Sequence, residues 1–277
     1  MGTRRTAAAG RWVGYAVIAA SGALMVLPFQ WTVSTSITPG DEVLQLPPRL
    51  IPENPTLDAY RELTEVMPFG RMVLNSVIVT SVSTLGQIVT SALAGYGLAR
   101  FHFRGRQGLL LLYLATLMVP AQVTIVPLFI GMSRLDQLNT LHALILPMIA
   151  SAFGVFLFRQ YFMNMPASLE EAAALDGASP WRTFWSVALP YARPAIATFG
   201  ILALMAAWNA YLWPLFVARD EAAMTLPVGL ASLHGRFETD WNLVMAGSVV
   251  TVVPVIVVFA IVPRHISTGL LLGGGRT

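Results

Sequence analysis

Residues 72–99 read MVLNSVIVTSVSTLGQIVTSALAGYGLA, 28 consecutive residues without a charged side chain. Five more charge-free windows of similar length occur, at 12–40, 107–133, 137–158, 194–218 and 241–263. Each is at least as long as the roughly 20 residues with which a helix crosses a bilayer. The windows are apolar on every face, whereas the strands of a membrane β-barrel alternate apolar and polar residues. We therefore predict an all-α, polytopic membrane protein with six transmembrane helices.

The six predicted helices form one transmembrane domain over residues 1–277 and cover about 12–33, 73–98, 108–130, 141–162, 195–217 and 244–263. The first apolar run is too long for a signal peptide, so we expect this helix to be retained. In the second helix, Ser91 and Gly95 have the small-xxx-small spacing that lets helix backbones approach, and packing within the chain is its expected use. Prolines inside the later helices predict kinks, at Pro120, Pro127, Pro147, Pro214 and Pro254.

Residue types that the chain lacks exclude several kinds of chemistry. It has no Cys, which excludes disulfides, thiolate metal sites and cysteine nucleophiles. All 17 basic side chains are arginines, so the Gly-Lys-Ser/Thr core of a phosphate-binding P-loop is absent. The chain is therefore not itself a P-loop ATPase.

The distribution of charge predicts how the chain is oriented. When the segments between the predicted helices are assigned alternately to the two sides of the membrane, one side carries a net charge of +8 and the other −5. The positive-inside rule places the basic side, with both termini, in the cytoplasm. The proline-rich, acidic segment 40–71 is then extracytoplasmic. The pI near 9.6 follows from this asymmetry, and we expect no nucleic-acid partner.

The longest cytoplasmic segment, residues 163–193, contains start and stop signals for two short helices. Ser168 and Glu171 have the spacing of a capping box, which predicts a helix that begins at Leu169. Gly177 suits the left-handed cap at the end of that helix. The small residues at 172–174 would let a partner protein approach it closely, and the acidic residues beside them offer carboxylates to that partner.

The second short helix is predicted by Ser179 as N-cap and Pro180 in the first turn. Helical spacing predicts one apolar face for this helix, made of Trp181, Phe184, Trp185 and Ala188. Two helices joined by a tight turn would project from the membrane.

These residues resemble the permease subunits of ABC importers. The cytoplasmic signature of that family is Glu-Ala-Ala, three residues, Gly, nine residues, Ile, one residue and Leu-Pro. This sequence matches it with a single departure, Val for Ile, at Glu171-Ala172-Ala173, Gly177, Val187 and Leu189-Pro190. Further segments resemble the carbohydrate-uptake branch, namely Asn54 to Tyr60, Asn75-Ser76, Trp208-Asn209 and the tail Gly269 to Gly275.

The resemblance implies a type I ABC importer permease fold in the cytoplasmic membrane, with no catalytic residue, metal or cofactor in this chain. It implies that residues 163–193 couple to a dimeric cytoplasmic ATPase, which would bind ATP and Mg. A second homologous permease subunit and an extracytoplasmic solute-binding protein or lipoprotein would complete the importer of a sugar or sugar derivative. The expected coupling residues are Glu170, Glu171, Ala172, Ala173, Asp176, Gly177, Ala178, Ser179 and Pro180.

A solute path is predicted at the fifth helix, where Trp208, Asn209 and Tyr211 combine aromatic faces with an amide group. Aromatic faces pack against sugar rings, and amides exchange hydrogen bonds with hydroxyl groups. Two alternatives stay open. Tyr211 suits an aromatic belt at the membrane interface. The Asn209 amide suits a hydrogen bond between helices.

Two other functions were weighed against transport driven by ATP. An ion-coupled secondary transporter needs ionisable groups within its membrane helices, and the six windows contain only His142. An intramembrane hydrolase needs metal-ligand spacing or a buried base beside a nucleophile, and the four histidines lack that spacing. The ion-coupled transporter is the alternative that we retain.

Overall fold

The computed structural model describes residues 3–45, 50–233 and 239–261, where the regular elements are helices. They are α1 (Thr3–Ser36), α2 (Asp58–Val66), α3 (Phe69–Arg100), α4 (Arg106–Thr116), α5 (Ala121–Arg134), α6 (Leu141–Ile145), α7 (Ala152–Met163), α8 (Ala167–Leu175), α9 (Pro180–Thr183), α10 (Leu189–Tyr191), α11 (Arg193–Trp208), α12 (Leu212–Val217), α13 (Leu226–Ser232) and α14 (Trp241–Ile261). A 3₁₀ turn (Leu146–Met148) precedes α7, and a π-helical turn (Phe184–Ala188) follows α9. The predicted all-α class is confirmed. Residues 262–263 of the last predicted helix and the tail 269–275 lie outside the described residues.

The apolar helices match the predicted membrane segments. Three of the described helical segments are long and apolar enough to cross a membrane, namely Gly14–Ser36, Phe69–Arg100 and Arg193–Val217. Two bent pairs, α4 with α5 and α6 with α7, raise that number to five if each pair is one span. In α14 the apolar part Trp241–Val257 is shorter. The prediction of six spans is consistent with this arrangement.

The helix predicted at 108–130 is not continuous. It consists of α4 and α5, which meet at an angle of 97°. Pro120 precedes α5 with ψ 132°, and a proline has no N–H group to extend the hydrogen-bond ladder of α4. Pro127, where a second kink was predicted, lies inside α5. The milder bend of 42° between Leu141–Met148 and Ala152–Met163 lies beside Ser151, which caps α7 by accepting a 3.1 Å hydrogen bond from the Gly154 N–H.

The helix predicted at 195–217 is also interrupted, because α11 ends at Trp208 and α12 begins at Leu212. Asn209 is the C-cap of α11, and its Nδ2 donates a 2.8 Å hydrogen bond to the Met205 carbonyl. An asparagine that bonds a nearby backbone carbonyl competes with continuation of the helix. A helix break therefore lies just before Pro214, where the sequence predicted a kink and not a break.

Contacts divide the described residues into two compact units. The first comprises the chain up to Pro68 together with Leu230–Val253, and the second comprises Phe69–Gly229 with the residues from Pro254. In the first unit, the Ser36 and Tyr60 hydroxyls are hydrogen-bonded at 2.8 Å, and the amphipathic α2 buries Ala59 and Leu63. This unit also has an open cleft of about 910 Å³ whose lining includes the carboxylates of Asp41, Glu53, Asp58, Glu62 and Asp240.

In the second unit, α3 packs against α7 and α11. Small residues permit this close approach, because a Cβ atom at Gly95 would lie 2.7 Å from the Phe158 Cβ. A Cβ atom at Gly154 would overlap the Ser91 hydroxyl oxygen. The packing within the chain that we expected for Ser91 and Gly95 is therefore confirmed.

At the Phe69 end of α3, neutral side chains hold the segment that leads into α13. Asn75 Nδ2 donates hydrogen bonds to the carbonyls of Ala222 (3.0 Å) and Met224 (2.9 Å). The Ser76 hydroxyl accepts a 2.7 Å bond from the Leu226 N–H. These bonds anchor a loop to α3 across about 150 residues of sequence.

Candidate coupling site

The predicted coupling segment 163–193 folds into α8, a tight turn, α9, the π-helical turn and α10. All of these elements belong to the second compact unit. The segment therefore contains the two short helices and the turn that the sequence predicted, although the first helix begins two residues earlier than predicted.

The predicted start of the first short helix is wrong. It was placed at Leu169 behind a capping box of Ser168 and Glu171, whereas α8 begins at Ala167 with Pro166 at the N-cap. No side chain caps this end of α8. Pro166, with its φ restricted by the ring, forms the turn itself, so Ser168 already lies in the first helical turn.

The predicted glycine cap is confirmed. Gly177 has a φ of +73°, a conformation in which a side chain is strained. The Ala178 N–H donates to the Ala173 carbonyl at 2.9 Å, and the Gly177 N–H donates to the Ala174 carbonyl at 3.0 Å. This pair of bonds is the Schellman motif, which satisfies the last carbonyls of α8 and reverses the chain.

The second short helix begins as predicted, since the Ser179 hydroxyl accepts a 3.3 Å hydrogen bond from the Arg182 N–H and Pro180 is the first helical residue. The rings of its predicted apolar face do contact one another, since the Trp181 ring lies 6.1 Å from the Phe184 ring and 5.6 Å from the Trp185 ring between centroids. Phe184 and Ala188 are buried, whereas Trp181 keeps 62% of its surface exposed and Trp185 is also exposed. The aromatic residues therefore share one face as predicted, but only part of that face is buried.

The carboxylate of Glu170 bonds within the chain. Tyr96 Oη donates a 2.8 Å hydrogen bond to Glu170 Oε1, and Arg100 Nε lies 3.2 Å from Glu170 Oε2. The guanidinium group of Arg100 also donates to the Met165 carbonyl, in the turn before α8. Glu170 was expected to offer its carboxylate to a partner protein, and the structure instead joins it to the Arg100 end of α3.

The exposed side chains at the end of α8 include apolar and acidic ones. Leu175 keeps 90% of its surface exposed, and Glu171 and Asp176 lie on the surface of the same helix. Of the small residues that were expected to face a partner, Ala173 is buried and Ala172 is exposed. Apolar side chains exposed to this degree favour contact with another protein surface.

The remaining expected coupling residues lie in the turn between α8 and α9. Gly177, Ser179 and Pro180 are exposed, and Ala178 is half-buried. A partner can therefore reach most of this turn, and its backbone geometry is determined by the Gly177 cap and the Ser179 cap.

The predicted solute-path residues lie at the break between α11 and α12. Trp208 is buried in the second unit, so its ring does not face outward. Asn209 is exposed and bonds its own helix, and Tyr211 is exposed beside it. The structure therefore separates Trp208 from the other two residues and leaves only Asn209 and Tyr211 accessible.

Sequence reasoning missed Arg100 and Tyr96 as members of this site. Arg100 was counted only as a positive charge that ends the window 72–99, and Tyr96 only as part of that window. Tyr96 is 74 residues from Glu170, and no periodicity connects residues at such a distance. Charge complementarity between Arg100 and an acid of the loop was the only available signal, and it did not select among Glu170, Glu171 and Asp176.

Comparison with known proteins is consistent with this geometry. The family model for the inner membrane component of binding-protein-dependent transport systems matches residues 87–269. The arabinooligosaccharides transport system permease protein AraQ of Halalkalibacterium halodurans is 36% identical over 265 residues, which cover 95% of this chain and 94% of that protein. The sn-glycerol-3-phosphate transport system permease protein UgpE of Pectobacterium atrosepticum is 36% identical over 238 residues, which cover 83% and 85%.

A solved structure has the same fold. The chain aligns, with a TM-score of 0.84 and 25% identity, to a chain of a bacterial ABC transporter involved in the import of the acidic polysaccharide alginate. The alignment covers 94% of this chain and 98% of that one. With its apolar helices and the family match over residues 87–269, this chain belongs to the inner membrane components of binding-protein-dependent transport systems.

Proposed function

We propose that this chain is the permease subunit of an ATP-driven importer, and that it moves a sugar or sugar derivative across the cytoplasmic membrane by alternating access. The observation that carries the proposal is the shape of segment 163–193. Its two caps determine a helix-turn-helix whose exposed side chains include the apolar Leu175 and the acidic Glu171 and Asp176. In a family member, such a surface is suited to receive force from a separate energy-supplying subunit.

The partner at this surface is a dimeric cytoplasmic ATPase, which binds ATP and Mg. This chain lacks lysine and therefore lacks a P-loop of its own. Leu175, Trp181 and Trp185 supply apolar contact area, and Glu171 and Asp176 supply carboxylates for basic side chains of the ATPase.

The remaining partners are a second homologous permease subunit and an extracytoplasmic solute-binding protein. The names of the relatives mention arabinooligosaccharides and glycerol phosphate, and the solved transporter imports alginate. These compounds are sugars or polyol derivatives, which supports a hydroxyl-rich substrate. Asn209 and Tyr211 are the exposed residues that we propose for the solute path, because an amide and a phenol ring suit hydroxyl groups and sugar faces.

The orientation of the chain can be tested with introduced cysteines, since the protein has none of its own. Four exposed positions are suitable, namely Glu53, Arg104, Ser179 and Asp220. Because all four are exposed, labelling at each depends only on the side of the membrane where it lies. In intact cells, an impermeant maleimide should label Glu53→Cys and Asp220→Cys and should leave Arg104→Cys and Ser179→Cys unlabelled. Labelling of Ser179→Cys would overturn both the orientation and the coupling role.

The ATPase contact can be tested with Leu175→Asp. This substitution places a charge in the proposed contact, so the ATPase should no longer copurify with the permease, and ATP-dependent uptake should be lost. Leu44→Asp is the matched control, because Leu44 is similarly exposed, at 77%, but lies in the segment proposed to be extracytoplasmic. The control should retain the ATPase. Normal copurification and uptake with Leu175→Asp would refute the proposal.

A further inference from the structure

Three side chains connect α8 to the Arg100 end of α3. Arg100 approaches both the Glu170 carboxylate and the Met165 carbonyl, so one guanidinium group bridges α8 and the turn before it. Tyr96 lies one helical turn earlier on α3, and its hydroxyl group donates a hydrogen bond to the other oxygen of Glu170. Both oxygens of this carboxylate therefore have a partner on α3.

The phenol ring of Tyr96 is itself held by aromatic packing. It makes edge contacts with Phe162 at 5.4 Å and with Phe101 at 5.9 Å, and a tilted contact with Phe184 at 5.3 Å between ring centroids. Phe184 belongs to the π-helical turn after α9, and Phe162 belongs to α7. Three aromatic rings, those of Phe101, Phe162 and Phe184, therefore position the hydroxyl group that bonds Glu170.

Glu170 and Glu171 are neighbours in sequence with different surroundings. The Glu170 side chain keeps 23% of its surface exposed and pairs with Arg100, whereas Glu171 points to the surface. The Glu170 carboxylate is therefore oriented toward α3, whereas the Glu171 carboxylate is open to a docking protein. These two neighbouring acids therefore have separate roles.

We propose that Arg100, Tyr96 and Glu170 form a latch that positions α8 on α3, so that movement of α8 is transmitted to the membrane helix. Glu170 is then a positioning residue, and Glu171 is a contact for the ATPase. The latch rests on the proposed function, since α8 transmits movement only if an ATPase binds there. A partly exposed ion pair suits this role, because it keeps α8 in a defined orientation on α3 and does not require a deeply buried charge.

The test uses the complete importer, reconstituted in vesicles with its ATPase and binding protein, and measures the ATP hydrolysed per sugar transported. Glu170→Gln and Arg100→Gln should each raise that ratio about fivefold, because the ATPase turns over without moving α3 effectively. The amount of ATPase that copurifies should stay the same in both variants. Arg104→Gln is the matched control, since Arg104 is an exposed arginine four residues from Arg100, and its ratio should not change.

Rescue distinguishes positioning from simple damage to the fold. The exchange Arg100→Glu with Glu170→Arg restores opposite charges at the same two positions but loses the bond to the Met165 carbonyl, so its ratio should lie closer to the original than that of either single substitution. Tyr96→Phe removes one hydrogen bond but keeps the aromatic packing, so it should fold and raise the ratio less than Glu170→Gln does. Glu171→Gln should instead reduce the amount of bound ATPase.

The latch is wrong if Glu170→Gln leaves the ratio unchanged, or if it releases the ATPase as Glu171→Gln does. These outcomes differ from failure of the proposed function, which would appear as an ATPase that stays bound in Leu175→Asp. Failure of the charge exchange to lower the ratio, with normal copurification of the ATPase, would also overturn the latch.

Discussion

At the Phe69 end of α3, neutral groups hold the segment that leads into α13, whereas at the Arg100 end an ion pair holds α8. Asn75 is 4% exposed, but the side chains of Arg100 and Glu170 keep 18% and 23% of their surfaces exposed. Burial of a charge costs more free energy than burial of an amide with its hydrogen bonds made. The charged contact is accordingly found between partly exposed side chains, and the neutral contact is made by buried ones.

This difference indicates two roles for the two ends. The bonds of Asn75 and Ser76 contribute to the stability of the fold, because removing either partner leaves a polar group without its bond. The ion pair between Arg100 and Glu170 contributes less to stability but determines how α8 is oriented on α3. Substitutions along α3 can separate the two roles.

The largest effect is expected between the two ends, where α3 packs against α7. Gly95→Ala would bring a methyl group within 2.7 Å of the Phe158 Cβ and 2.8 Å of the Arg159 nitrogen, and the backbone nitrogen cannot rotate away. We expect a loss of about 3 kcal/mol in the free energy of unfolding, measured by denaturation in detergent. Gly97→Ala is the control, because a Cβ atom there meets nothing within 4 Å. Equal effects of the two substitutions would contradict this packing.

Asn75→Ala should have the next largest effect. It removes two hydrogen bonds at a buried position, and we expect a loss of about 2 kcal/mol in the free energy of unfolding. Ser76→Ala removes one bond and should cost about half as much. Because neither side chain is charged, the loss should not depend on salt concentration, and a strong dependence would show that the two ends do not differ as described.

A smaller effect is expected in the turn after α8. Gly177→Ala places a side chain at a φ of +73° in open space, so backbone strain is its only cost. We expect a loss of about 1 kcal/mol in the free energy of unfolding. Gly108→Ala, which lies in α4 with nothing near its Cβ position, should not destabilise the protein. A loss from Gly177→Ala no larger than that of the control would mean that the turn tolerates another conformation.

The smallest loss of stability is expected for Glu170→Gln, at about 0.5 kcal/mol, because ion pairs reached by solvent contribute little. This loss should shrink further at high salt, which screens the Arg100 charge. Denaturation at low and high salt measures both quantities. Suppose instead that the loss is as large as that of Asn75→Ala and does not depend on salt. The contacts of Glu170 would then stabilise the fold in the same way as the hydrogen bonds at the Phe69 end.

Several features of the site could be predicted because their causes are local. The Gly177 cap and the Ser179 cap depend on residues within five positions of each other, so spacing alone revealed them. The start of α8 was missed because Ser168 and Glu171 have the spacing of a capping box. Pro166 instead forms the turn at the N-cap, two residues before Ser168. The exposure of Trp181 was missed because helical spacing predicts which side chains share a face and not whether another element covers that face.

The sequence by itself determined that the chain is all-α and apolar enough for the membrane, because the length of each charge-free window depends on composition alone. It also determined the turn between α8 and α9. Only the tertiary structure decided which acid of the loop pairs with Arg100. That outcome depends on how α3 packs against α7 and α11, and contacts between residues so far apart in the chain leave no periodic signal in the sequence.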